Sequence, residues 1–112
     1  MNRQEFQQRI NKLLAEDAKN PLRWWFLSYA GEDGFHGGVI IQAHGRTEAA
    51  YLCRHRGLSP GGQVLILEVP EEELPGEESR NRLLTRPELE AIWGKGLTLE
   101  EIEAKEKKES NG

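Results

Sequence analysis

The chain has 112 residues, 37% of them apolar and 30% charged, which is enough for one domain with a modest core and too little for two. Its formal net charge is −4; coating a nucleic acid rests on a basic footprint, so extended nucleic-acid binding is not expected. One cysteine, Cys53, rules out an internal disulfide and a cysteine-based metal cluster, and the absence of any apolar run of signal-peptide or membrane-spanning length gives the reading of a cytoplasmic protein without membrane association.

In chain order, residues 3–16 carry Phe6, Ile10, Leu13 and Leu14 on one helical stripe, with Asn2 and Glu5 spaced as a capping box. The helix must end before Asn20, because the residue ahead of Pro21 is pushed out of the α region. Residues 23–30 include Trp24, Trp25, Phe26 and Tyr29 without polar alternation, as expected of a strand covered on both sides. The glycine-rich turn 31–34 joins it to a second strand, residues 35–43, in a hairpin. Gly37 and Gly38 inside that second strand call for a bulge or the close approach of a ring, for which the tryptophans are candidates.

Thr47 reads as the N-cap of a helix reaching Arg56, with Ala49, Leu52 and Cys53 inward and Gly57 as its left-handed stop. Residues 59–62 turn the chain into a third strand, 64–69. An acidic connector with five glutamates follows over 71–78. Thr85, Pro87 and Glu88 then open a short helix through Trp93, and Thr98 opens a final charged one containing Leu99 and Ile102. The expected fold is α+β: a small three-stranded mixed sheet made of a hairpin, a helix and a strand, with an N-terminal helix and two short C-terminal helices. The second and third strands are expected to be parallel through a helical crossover, with the two-sided aromatic strand in the centre as the economical arrangement. Residues 1–93 form the domain, and 94–112 form a charged C-terminal helix with a frayed end.

No catalytic signature emerges. Ser28, Ser59 and Cys53 stand in no nucleophile motif, and the glycines match neither a phosphate loop nor a dinucleotide fingerprint. His36, His44 and His55 include no metal-ligand pair, so neither a metal nor a cofactor is expected. Two groups qualify as binding candidates. Trp24, Trp25 and Tyr29 belong to the densest aromatic stretch and present a stacking or anchoring face if one side of the strand is open. His44 and Arg46 at one end of the second helix, with Arg54, His55 and Arg56 at the other, offer guanidinium forks for an anion, although about 15 Å separates the two ends at 1.5 Å per residue. The ordinary role of the second set is to sit in water and complement the helix dipole.

Trp24-Trp25-x-Leu27-Ser28, Gly38-Val39-Ile40, Ala49-Ala50, the segment 57–62 and Asn81-Arg82-Leu83-Leu84 together resemble a pattern of small phage and bacterial proteins, over about residues 22 to 90. The resemblance implies a phage or mobile-element accessory role and brings no activity. The sequence therefore favours a non-enzymatic interaction protein, such as an inhibitor of a host protein, with a protein partner or self-association. The alternatives are a binder of a nucleotide or other small anion, through aromatic stacking and arginine, and a small enzyme with a convergent site.

Overall fold

The structure is a computed structural model that describes residues 2–94. Its elements are α1 (Arg3–Asp17), β1 (Arg23–Gly31), β2 (Gly34–Ala43), α2 (Arg46–His55), β3 (Gln63–Val69), single 3-10 turns at Glu71–Glu73 and Glu77–Ser79, β4 (Leu83–Leu84) and α3 (Arg86–Trp93). The fold is α+β as expected, but the sheet has four strands in the order β3-β1-β2-β4, and every hydrogen-bonded pair is antiparallel. The expected three-stranded mixed sheet is corrected in two respects. β2 and β3 do run in the same direction, as a helical crossover implies, yet β1 lies between them and pairs with both. β4 escaped notice because two residues carry no periodicity. The expected final helix from Thr98 lies outside the described residues.

Alternation along β1 sends its large side chains to opposite faces. Trp25, Leu27 and Tyr29 join Val39, Ile41 and Ala43 of β2 beneath Ala49 and Cys53 of α2. Phe26 joins Ile40, Val69, Leu84 and Leu89 beneath α3, with Trp24 and Trp93 packed at the margin. Leu27, Val39, Ile40 and Ile41 are completely buried, and each such side chain contributes about 1.5–3 kcal/mol relative to an exposed one. Two covered faces explain why β1 lacks polar alternation.

The hairpin register slips between Tyr29 and Ala30: Tyr29 pairs with Gly37 and Ala30 with Phe35, so His36 is the extra residue of a bulge. The slip turns Phe35 onto the α3 face. A ring does lie over Gly38, and it belongs to Phe26 rather than to a tryptophan: a Cβ on Gly38 would sit 2.4 Å from Phe26 Cε2.

α2 begins two residues earlier than Thr47 suggests. Its N-cap is Gly45, which has no side chain to cap with. The acceptor comes instead from the end of α1, where Asp17 Oδ2 takes the Glu48 N–H at 2.9 Å. A Cβ on Gly45 would meet the Asp17 carboxylate at 2.4 Å, so the glycine makes room for its substitute cap. Helix caps of this type contribute about 0.5–2 kcal/mol. The acidic connector is also less free than its composition suggests. Leu74 packs on the α3-side core, Trp93 Nε1 donates to Glu73 O at 2.9 Å, and Arg80 Nε donates to Pro75 O at 2.8 Å.

Gly38→Ala should destabilise the fold by about 1–3 kcal/mol, the usual cost of overpacking, because the Phe26 ring is wedged between sheet and α3. Chemical denaturation of the two proteins measures it, and equal midpoints would show that the ring moves aside freely.

Candidate functional site

The aromatic residues of β1 are not an open platform. Trp25 is 3% exposed; its Nε1 donates to Ala43 O at 3.0 Å and the Arg23 guanidinium stacks 4.7 Å from its ring centre. Tyr29, equally buried, has its hydroxyl among Cys53 and Ser59, and burial first, then the neighbouring Cys53, pushes its ionisation far up. Trp24 is half-buried, with the Arg80 guanidinium 4.9 Å from its ring centre. One face of this strand lies under α2, and the other is shared between α3 and the pinned connector.

The basic candidates are divided between the two ends of α2. His44 is half-buried, and its Nδ1 contacts both carboxylate oxygens of Glu48, at 2.9 and 3.0 Å, while its backbone N–H donates to the same group at 3.1 Å. Arg46 is exposed at the start of the helix. At the far end Arg54, His55 and Arg56 are all exposed, and His55 stacks on Tyr51 with ring centres 5.7 Å apart. His44 is thus tied to Glu48 in the first turn of α2. Arg54 and Arg56 are exposed together at the other end of the helix.

Ser28 Oγ is buried without a hydrogen-bond partner, and Ser59 Oγ accepts the Gly61 N–H at 3.3 Å. Cys53 is buried, and desolvation drives its thiol pKa up, away from the reactive thiolate. Among the described residues no group of three His, Cys, Asp or Glu side chains could hold a metal ion. No helix among them is long and apolar enough to cross a membrane.

The closest approach to a tuned pair is at the hairpin bulge. His36 Nε2 lies 2.6 Å from Asp33 Oδ1 and Nδ1 lies 3.4 Å from Gly61 O, so only the doubly protonated ring donates to both. It clasps the β1–β2 turn to the loop ahead of β3. The hydrogen bond to Asp33, then that to Gly61, holds the His36 pKa above 6.5, and the hydrogen bond to His36 holds Asp33 below 3.8.

Exposed apolar side chains are the feature the sequence reading missed. α1 buries none of its residues, leaving Phe6 54% and Leu13 39% exposed, and Leu22 and Tyr51 are also open. Their surroundings are basic: residues 3–19 and 46–56 hold seven Lys/Arg against four Asp/Glu, whereas residues 68–90 hold three against eight. The available signal was the narrowness of the α1 stripe, four apolar residues in fifteen, which suits a helix lying on the outside. Comparison with protein-family models, with curated proteins and with solved structures finds no match.

Two measurements check these assignments. The His36 contribution to stability is complete below pH 6.5 and is lost as pH rises through its raised value; that of Asp33 is present above 3.8 and is lost as pH falls through its lowered one. The clasp is therefore strongest between those limits. An NMR titration should give His36 a midpoint above 6.5 that returns toward 6.5 in Asp33→Asn. Cys53 should resist an aromatic disulfide reagent at mildly alkaline pH until denaturant is added, whereas prompt reaction in the native state would show that the helix cover over Tyr29 opens readily.

Proposed function

We propose that the protein is a non-enzymatic interaction module and that α1 is the element that seats its partner protein. The observation that carries this reading is a helix of fifteen residues with none buried, although its sequence is amphipathic. Ile10 and Leu14 of the stripe are half-buried, whereas Phe6 and Leu13 stay open, and amphipathic helices laid against an apolar surface are a recurring recognition mode. Arg3, Arg9 and Lys12 on the same helix, and Arg54 and Arg56 at the end of α2, favour a partner with acidic groups around an apolar centre. Inhibition of a host protein is one form this binding would take, and it would suit the accessory role that the resemblance to phage proteins implies.

The test is affinity capture with the wild type and with a Phe6→Asp/Leu13→Asp double variant. Both positions are exposed, so the variant should keep its circular dichroism and melting behaviour while losing the specific partner by at least tenfold in affinity, the scale on which apolar anchors act. A partner retained in full by a folded double variant would remove α1 from the interface.

A further inference from the structure

The two edges of the sheet are protected very differently. β4 is only two residues long, a short edge of the kind that discourages pairing. β3 is seven residues, Gln63–Val69, pairs with β1 in unbroken register from Gln63 to Val69, and has no neighbour on its other side among the described residues. It has no proline, lysine or bulge. Its one charge, Glu68, is tied to Arg23 of the adjacent strand at 3.3 Å. Val64 is 41% exposed, and Leu65, Ile66 and Leu67 are all half-buried despite their apolar character. Half of the backbone donors and acceptors of this strand thus face outward, and the complement of such a row is another extended strand.

We propose that the occupant is β3 of a second copy of this chain, paired antiparallel about a two-fold axis through Ile66, so that two four-stranded sheets become one continuous sheet. The sequence of the strand is self-complementary in that register. Leu65 falls opposite Leu67 of the second copy and Leu67 opposite its Leu65, which makes a patch of four leucines on the α3 face. Ile66 meets its own counterpart on the α2 face, where Val64 lies opposite Glu68. The two Glu68 carboxylates are then separated along the strand by four residues, about 13 Å at 3.3 Å per residue, more than a physiological screening length. Whether the even or the odd residues turn their backbone groups outward, a register centred on one residue matches donors to acceptors, giving about six to eight hydrogen bonds between copies. A closed two-fold contact of this kind ends with the pair, because β4 is too short to continue it.

Sedimentation equilibrium on the full chain over a range of concentrations should give twice the chain mass. Under mild oxidation Ile66→Cys should form a covalent dimer, since directly opposite residues have Cβ atoms about 4.5–5.5 Å apart. Gln63→Cys should not, because its counterpart lies about 20 Å along the strand. The wild type, whose Cys53 is buried, is the background control. The Phe6→Asp/Leu13→Asp double variant should remain a dimer, which separates this contact from the one assigned to α1. A monomer at every concentration overturns the proposal, as does a dimer that Ile66→Cys fails to trap, that Gln63→Cys traps as readily, or that the α1 substitutions dissolve.

Discussion

β1 carries bulky apolar side chains on both faces, with Trp25, Leu27 and Tyr29 on one and Trp24 and Phe26 on the other. A strand loaded in this way has to lie inside the sheet and be covered twice. The connection through α2 covers one face and delivers β3 to the far side of β1, and the route through the acidic connector covers the other with α3. Both long connections are therefore dictated by a single strand of nine residues. β1 and β2 occupy the centre of the sheet, and β3 and β4 take its edges.

The parts of this arrangement that depend on local periodicity were legible in the sequence. The hairpin, the glycine-related bulge, α2 and the capped start of α3 all follow from turn chemistry and spacing, and Thr85 and Glu88 do form the reciprocal capping pair. The central place of β1 was legible from its two aromatic faces. The full strand order was not, because β4 is too short to carry a periodicity and only the three-dimensional packing sets it beside β2. The Gly45 cap was hidden for a related reason: its hydrogen-bonding group is supplied by Asp17, twenty-eight residues earlier in the chain. Local rules favour Thr47 because they cannot see Asp17.

The candidate surface shows the same division. Aromatic density on β1 offered a working face only if one side stayed open; a strand with two aromatic faces is a central strand, and both sets of rings are used for packing. Phe6 and Leu13 of α1 are accessible instead, on a stripe sparse enough to pass for that of an ordinary helix. Charge supports this second location, since the helical layer is the basic part of the molecule. The glutamates of the connector lie in the acidic segment, where Arg82 pairs with Glu88 at 2.6 Å and lowers its pKa to about 2.

The bond between Asp17 and the first turn of α2 gives α1 a standing that its burial alone would not. A helix with no fully buried side chain is held to its domain by few apolar contacts. Here each departure leaves an amide at the head of α2 without its acceptor and loosens the layer over Tyr29 and Cys53. The N-terminal helix and the core are thus energetically coupled. A protein that grips α1 in its docked position also tightens α2 and the core beneath it, and one that pulls it away weakens them.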